Sequence, residues 1–117
     1  MNEKVTVYQK PTCSKCVAAR ELLDERGVEF DAVNYYETPL TPALFRDLLD
    51  KLGMQARDVL RADEPRAKEL QLAERELSED ELIAIMVENP DLIQRPIVVR
   101  GDRAVLARPT ASIDELF

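Results

Sequence analysis

The sequence contains no histidine and only two cysteines, Cys13 and Cys16, which lie three positions apart. Zinc sites usually take four ligands from cysteine, histidine and carboxylate side chains. With two sulfurs and no imidazole, such a site would need carboxylates or a second subunit to complete it. We therefore predict no metal site, and the two cysteines need another explanation.

Three further features are absent: a positive net charge, a long apolar run and a signal-peptide pattern. The net charge of −7 argues against general affinity for nucleic acid or an anionic membrane. No apolar run approaches membrane-spanning length, and the N-terminal MNEKVTVY leads directly into a strand pattern. We expect a cytoplasmic protein that binds neither nucleic acid nor membrane directly. In that reducing compartment, paired cysteines are more often catalytic or metal-binding than structural.

The N-terminal third follows a strand–helix–strand pattern. Residues 4–8 and 28–36 alternate apolar and polar side chains, as strands do. Residues 14–26 have a helical pattern that ends at Gly27. The apolar stripe of this helix consists of Cys16, Ala19, Leu22 and Leu23. Because the links are short, we predict a βαβ unit with parallel strands.

The middle of the chain is predicted to be helical. Three helices are expected, at residues 41–53, 65–73 and 78–89. Thr41 is the expected N-cap of the first, which ends at Gly53. The third opens with a capping box from Ser78 to Glu81. Residues 54–64 have no clear pattern and are predicted to be irregular.

The C-terminal part reads as a hairpin and a final helical turn. Two apolar runs meet at Gly101-Asp102, which is a two-residue hairpin signal. Residues 112–117 begin with a second Ser-x-x-Glu box, from Ser112 to Glu115. A final helical turn is therefore predicted there.

The order of these elements predicts an α/β fold. It fits a thioredoxin-like mixed four-stranded sheet with a helical insertion between its βαβ and ββα halves. No repeat, low-complexity segment or linker divides the chain. Residues 1–117 are therefore predicted to form a single domain.

The two cysteines occupy different positions in this scheme. Either could be a small buried apolar residue, since free cysteine packs in that way, and Cys16 falls on the apolar side of its helix. Cys13 instead falls at a strand-to-helix turn, where it meets the unpaired N–H groups and the positive end of the helix dipole. Those features lower a thiol pKa and favour a nucleophilic thiolate. Cys16 could then attack an adduct on Cys13 and release it as a disulfide, so redox chemistry is favoured.

Three segments resemble the ArsC/Spx/YffB family of thioredoxin-fold proteins: YQKPTCSKC (8–16), DVLR (58–61), and NPDLIQRPIVV (89–99) continuing to LARP (106–109). The resemblance covers essentially the full length. It implies a reductase of the arsenate reductase type, in which Cys13 is the nucleophile. It also implies that an oxyanion is held by three arginines: Arg61, Arg95 and Arg108.

The resemblance further implies a cis Arg95–Pro96 peptide bond, with Pro96 flanking the active cysteine. Arsenate is a tetrahedral dianion, which forked guanidinium groups and a helix N-terminus would bind. We expect no bound cofactor and a reductant drawn from glutathione, glutaredoxin or thioredoxin. The expected partners are a small oxyanion and one of those redox proteins, and the protein is expected to be a monomer.

The cysteine motif departs from the arsenate reductases of this family. They usually continue with Gly-Thr-Ser-Arg where this chain has SKCV (14–17), and they can carry a histidine at the position of Gln9. The Cys-x-x-Cys resembles the Spx branch, redox-sensing regulators that bind RNA polymerase, but those typically lack an arginine matching Arg108. Two alternatives stay open: a glutathione- or thioredoxin-dependent thiol reductase without arsenate activity, and an Spx-like redox-sensing regulator.

Overall fold

The computed structural model describes residues 4–117. Its strands are β1 (Val5–Gln9), β2 (Asp31–Asn34), β3 (Ile97–Arg100) and β4 (Arg103–Leu106). Its α-helices are α1 (Ser14–Glu25), α2 (Pro42–Leu52), α3 (Ala56–Val59), α4 (Pro65–Glu69) and α5 (Glu79–Glu88). Two 3-10 helices cover Pro90–Leu92 and Thr110–Leu116. Within this part of the chain, no helix is both long enough and apolar enough to cross a membrane.

The described residues divide into two compact units. The first contains residues 4–38 and Arg95–Phe117, and the second contains Pro39–Gln94. The whole sheet, α1 and the C-terminal 3-10 helix belong to the first unit, while the second consists of the remaining helices. The predicted α/β class and the helical insertion between the two halves of the sheet are thereby confirmed.

The four strands form one sheet in the order β2-β1-β3-β4. β1 and β2 are parallel, as a βαβ unit requires, and the other two pairings are antiparallel. The core of this unit joins one face of the sheet to α1 and the C-terminal 3-10 helix. Its buried members are Val5, Val7, Ala19, Leu23, Val98, Ala107, Ile113 and Leu116. The predicted apolar stripe of α1 is therefore buried, with Leu22 partly covered at its margin.

The second strand is shorter than its sequence pattern. Alternation predicts a strand over residues 28–36, but β2 covers only Asp31–Asn34. β2 lies at the edge of the sheet and pairs with β1 from Thr6 to Gln9 only. The Tyr35 N–H still donates to the Gln9 carbonyl at 3.4 Å, but β1 ends at Gln9, and Tyr35 and Tyr36 enter a turn.

The region predicted to be irregular contains a helix, and the next helix is shorter than predicted. α3 begins without a Ser, Thr, Asn or Asp N-cap, which is why the sequence pattern gave no signal. Two carboxylates satisfy its first N–H groups: Asp58 of the helix itself accepts from the N-cap Gln55 N–H at 2.9 Å, and Glu79 of α5 accepts from the Ala56 N–H at 3.0 Å. The helix predicted over 65–73 ends as α4 at Glu69, followed by turns.

Several predicted helix and turn signals are confirmed. The Thr41 side chain caps α2 by accepting from the Leu44 N–H at 3.1 Å. α1 is followed by Gly27 in the left-handed region, with φ of 69°. Gly101, with φ of 61°, opens the predicted two-residue turn between β3 and β4.

The two Ser-x-x-Glu boxes have different outcomes. At α5, Ser78 accepts from the Glu81 N–H at 3.1 Å while Glu81 accepts from the Ser78 N–H at 3.0 Å, so that box is confirmed. The box predicted at Ser112 is wrong. The C-terminal helix is a 3-10 helix that begins at Thr110 after Pro109, so Ser112 lies inside it and its side chain makes no capping bond.

Alanine substitution at Ser78 and at Ser112 distinguishes the two boxes. Ser78→Ala removes the acceptor for the Glu81 N–H and should lower the free energy of unfolding by about 1 kcal/mol. Ser112→Ala removes no capping bond and should change it by less than about 0.5 kcal/mol. Urea denaturation followed by circular dichroism measures both values, and equal losses would contradict this assignment.

Candidate active site

The sheet brings four chain segments to one of its ends. Gln9, the last residue of β1, lies beside Asn34, the last residue of the parallel strand β2. Near the same end, Tyr8 pairs with Ile97 at the start of β3, and Ile97 pairs with Leu106 at the end of β4. The loop after β1, the turn after β2, the approach to β3 and the exit from β4 therefore meet there.

Cys13 occupies the N-cap position of α1 at this end of the sheet. Its backbone is extended, with φ of −71° and ψ of 128°, and its carbonyl accepts from the Val17 N–H at 3.0 Å. Its own N–H donates to the Lys10 carbonyl at 3.0 Å, which closes the loop. The first turn of α1 contains no acidic residue, so no carboxylate there competes with the Cys13 sulfur for the positive end of the helix.

The pKa of the Cys13 thiol lies below its ordinary value. Burial raises it, but hydrogen bonds from the backbone and side chain of Cys16, the backbone of Lys15 and the Arg95 guanidinium outweigh that effect. These donors stabilise the thiolate more than the thiol. The half-buried Cys13 sulfur thus has the properties of a nucleophile.

Cys16 has the opposite character. Its side chain is fully buried on the inner face of α1. Burial, together with the hydrogen bond and negative charge of Cys13, raises the pKa of the Cys16 thiol to about 11. Cys16 is therefore protonated near neutral pH and donates its proton toward the Cys13 sulfur.

Arg95 supplies a buried cation beside the Cys13 sulfur. Only 8% of its surface is exposed, and its NH1 group donates to the Tyr36 hydroxyl at 3.3 Å. Within residues 4–117, its buried Nε has no hydrogen-bond partner and no carboxylate forms a salt bridge with it. A buried guanidinium is costly unless an anion or hydrogen-bond acceptors satisfy its donors. The free Nε donor and the buried positive charge of Arg95 are therefore suited to binding an anion.

Arg108 is held next to Arg95 by the exit from the hairpin. The Ala107 N–H donates to the Pro96 carbonyl at 3.1 Å, and Arg108 NH1 donates to the Arg95 carbonyl at 3.3 Å. The Arg95–Pro96 and Arg108–Pro109 peptide bonds are both cis. Arg108 is otherwise exposed, so its guanidinium borders the same end of the sheet as Cys13.

Arg61, the third predicted arginine, belongs to the second unit. It lies two residues after the end of α3. Its N–H donates to the Leu92 carbonyl at 2.8 Å, and its guanidinium forms a salt bridge with Glu64 at 3.1 Å. The structure thus brings Cys13, Cys16, Arg95 and Arg108 together within the first unit. Arg61 is positioned by contacts inside the second.

Sequence reasoning missed three residues around this site. Arg20, on α1, binds the side chain of the buried Gln9 and donates to the Pro11 carbonyl at 3.3 Å, so it connects α1 to the end of β1 and the start of the loop. Lys10 and Tyr36 contact each other, with Nζ 5.0 Å from the ring centroid. In the sequence, Arg20 is indistinguishable from a solvated helix arginine, and Tyr36 reads as part of a strand.

Within residues 4–117, no group of three or more histidine, cysteine, aspartate or glutamate side chains is arranged to hold a metal ion. The chemistry available at this end of the sheet is that of an activated thiol, a second thiol and two guanidinium groups.

The family model described as "ArsC family" matches residues 8–116 of this chain. The chain belongs to the ArsC family. It is 46% identical over 117 residues to the uncharacterized protein YfgD of Escherichia coli K12, covering 99% of this chain and 98% of that protein. It is also 35% identical over 115 residues to an arsenate reductase of Neisseria meningitidis, covering 97% and 98% of the two chains.

A solved structure agrees with this membership. The arsenate reductase from Vibrio cholerae superposes with a TM-score of 0.95 at 35% identity, covering 100% of both chains. The predicted thioredoxin-like fold is therefore confirmed for this ArsC-family member.

The two thiols of this ArsC-family protein should alkylate at very different rates. Because the pKa of Cys13 is lowered, iodoacetamide should label it at mildly acidic pH. Cys16, with a pKa of about 11, should have only about one part in ten thousand thiolate at pH 7 and label far more slowly. Peptide mapping by mass spectrometry measures both rates.

Single-cysteine variants provide the control for this experiment. Cys16→Ser, which keeps a hydroxyl donor near the Cys13 sulfur, should keep the fast phase. Cys13→Ser should leave only the slow phase. Preferential labelling of Cys16 at mildly acidic pH would reverse the two roles.

Proposed function

We propose that this protein is a thiol-dependent arsenate reductase in which Cys13 attacks an arginine-bound oxyanion. The observation that carries the proposal is the buried Arg95 guanidinium, which has no salt-bridged carboxylate and an unpartnered Nε within residues 4–117. It hydrogen-bonds to the Cys13 sulfur, so an anion bound to it would lie next to the nucleophile. The membership in a family with named arsenate reductases supports the choice of arsenate.

The oxyanion is proposed to bind by charge-assisted hydrogen bonds. Arg95 and Arg108 present guanidinium donors at the same end of the sheet, and α1 contributes its N-terminal N–H groups and dipole. The same groups would stabilise negative charge that builds up on the oxygens as sulfur approaches arsenic. Arg61 enters the proposal through the family resemblance, as the third arginine.

The proposed reaction has two steps that transfer two electrons. First, the Cys13 thiolate forms a bond to arsenic(V), and one arsenate oxygen leaves as water after taking up protons from solvent. Second, the Cys16 thiolate attacks the Cys13 sulfur, so that a disulfide forms and the sulfur–arsenic bond breaks. The electron pair of the broken sulfur–arsenic bond stays on arsenic, which is thereby reduced to arsenic(III) and leaves as arsenite. Glutathione with glutaredoxin, or thioredoxin, then supplies two electrons to reduce the disulfide.

The high pKa of Cys16 fits its role as the second nucleophile. Burial is the main cause, and the Cys13 hydrogen bond and charge add to it. Once Cys13 is bonded to arsenic, its sulfur no longer carries that charge. Cys16 then loses part of the interaction that keeps it protonated, so its thiolate becomes easier to form after the adduct exists. The order of the two steps is thereby favoured.

Arsenate-dependent NADPH oxidation tests this function. One assay contains glutathione, glutaredoxin and glutathione reductase, and a second contains thioredoxin and its reductase. Cys13→Ser should abolish activity in both. Cys16→Ser should abolish thioredoxin-supported turnover, because no internal disulfide can form, while glutathione-supported turnover should persist, because a glutathione thiol can attack the Cys13 adduct instead.

Two further results decide between the alternatives. Mild oxidation of the protein should give a Cys13–Cys16 disulfide, seen by mass spectrometry as a loss of two hydrogens without dimer formation. Disulfide reductase activity without arsenate turnover would favour the alternative of a glutathione- or thioredoxin-dependent thiol reductase without arsenate activity. Redox-dependent capture of RNA polymerase without turnover would favour the Spx-like regulator.

Oxyanion protection provides a test that needs no turnover. Arsenate and sulfate should slow alkylation of Cys13 by occupying the site. Arg95→Lys and Arg108→Lys should weaken that protection roughly tenfold or more, because an ammonium keeps the charge but loses the fork, and a charge-assisted contact is worth about 1.5–3 kcal/mol. Arg61→Lys is expected to act in the same direction.

Arg103 offers a matched control for Arg108. The two arginines flank opposite ends of β4, and Arg103 donates to the Glu115 carbonyl at the hairpin end of the sheet. Arg103→Lys should leave protection unchanged. If oxyanions fail to protect Cys13, or if the Arg108 and Arg103 variants behave alike, the oxyanion assignment is wrong.

A further inference from the structure

The position of the Arg95 guanidinium must be fixed by neighbouring side chains that take no part in the proposed reaction. An arginine side chain has several rotatable bonds, and its position here decides whether its donors reach the Cys13 sulfur. No carboxylate within residues 4–117 holds it by a salt bridge. Besides the Cys13 sulfur, its side chain contacts two tyrosines of the first unit, Tyr35 and Tyr36.

Tyr36 contacts Arg95 in two ways. Its hydroxyl accepts from Arg95 NH1 at 3.3 Å, and its ring centroid lies 5.9 Å from the Arg95 Cζ atom. The second distance is within the range of a cation–π interaction. The neighbouring Tyr35 ring lies 5.3 Å from the Tyr36 ring at an angle of 31°, and it is buried, so the Tyr36 ring has a fixed support.

Tyr36 also contacts the loop that carries the nucleophile. Lys10 Nζ lies 5.0 Å from the centroid of the same ring. The Lys10 carbonyl in turn accepts the Cys13 N–H at 3.0 Å. One aromatic side chain therefore joins the buried cation to the loop in front of α1.

We propose that Tyr36 is a positioning residue that holds the Arg95 guanidinium and the Lys10 loop in register with the Cys13 sulfur. Its ring provides a surface for both cations, and its hydroxyl sets the direction of the guanidinium plane. Only the consequence for oxyanion binding rests on the proposed function. The alignment of Arg95 with the thiolate is a property of the protein alone.

The two parts of Tyr36 should have separable effects. Tyr36→Phe keeps the ring and removes the hydroxyl, so Arg95 loses one acceptor but keeps its stacking. Tyr36→Leu removes both. Since hydrogen bonding from Arg95 contributes to the lowered pKa of Cys13, a less well-placed guanidinium should raise that pKa and reduce the thiolate fraction at a given pH.

The experiment measures the pH dependence of Cys13 alkylation by iodoacetamide without any oxyanion. Tyr36→Phe should slow alkylation by roughly two- to threefold at mildly acidic pH, and Tyr36→Leu by more, because Arg95 is one of several donors that lower the pKa of Cys13 and a raised pKa reduces the thiolate fraction. At high pH, where Cys13 is fully ionised, all variants should react at the wild-type rate. A general loss of structure would not give this pH-dependent pattern, and circular dichroism verifies that each variant is folded.

Two controls make the assignment specific. Tyr8→Phe, which changes a tyrosine within β1, should leave the profile unchanged. In an Arg95→Lys background, Tyr36→Phe should have little further effect, because both changes act on the same guanidinium. If Tyr36→Leu does not fold, the Phe variant and the double variant decide the question.

The outcomes separate this inference from the proposed function. A wild-type profile for Tyr36→Phe, while Arg95→Lys shifts the profile, would overturn the positioning role. So would an undiminished effect of Tyr36→Phe in the Arg95→Lys background. If Tyr36→Phe shifts the profile but arsenate does not protect wild-type Cys13, the positioning role stands and the arsenate assignment fails.

Discussion

The antiparallel pairing of β3 with β1 is the constraint on which the candidate site depends. In the register that joins Tyr8 to Ile97, the residues before β3 arrive where β1 ends, so Arg95 comes beside the loop that leads to Cys13. A shift of one residue would turn every side chain of β3 to the other face and take Val98 out of the core that the sheet shares with α1. The same apolar pattern that stabilises the sheet therefore also fixes the distance between the cation and the thiol.

The thiolate and the buried guanidinium stabilise each other. Arg95 has no salt-bridged carboxylate within residues 4–117, and its hydrogen bond to the Cys13 sulfur is one of the interactions that lower the pKa of that thiol. A carboxylate in this position would neutralise the cation and compete with any incoming oxyanion. Leaving the Nε of Arg95 without a partner costs stability, and such costs are typical of groups reserved for a ligand.

The two cysteines differ because one helical turn separates two environments. Cys13, at the N-cap, meets backbone donors and a cation, while Cys16 faces the core, where burial raises its pKa to about 11. Arg20, one further turn along the same buried-to-exposed boundary, ties Gln9 and the loop to α1. The N-cap and first two turns of α1 thus carry a thiol of lowered pKa, a buried protonated thiol and an arginine that binds the preceding loop.

The sequence by itself determined the features that depend on local pattern. The parallel βαβ unit, the turn at Gly101 and the Ser78 box follow from periodicity and backbone preference, which neighbouring residues alone can express. Only the tertiary structure decided the ending of β2, the failure of the Ser112 box and the contact of Tyr36 with Arg95, which are 59 residues apart. Strand length depends on the partner strand available at an edge, and a contact across the sheet depends on strand order and register. Neither the length of an edge strand nor a contact across the sheet can therefore be predicted from the residues next to it in the sequence.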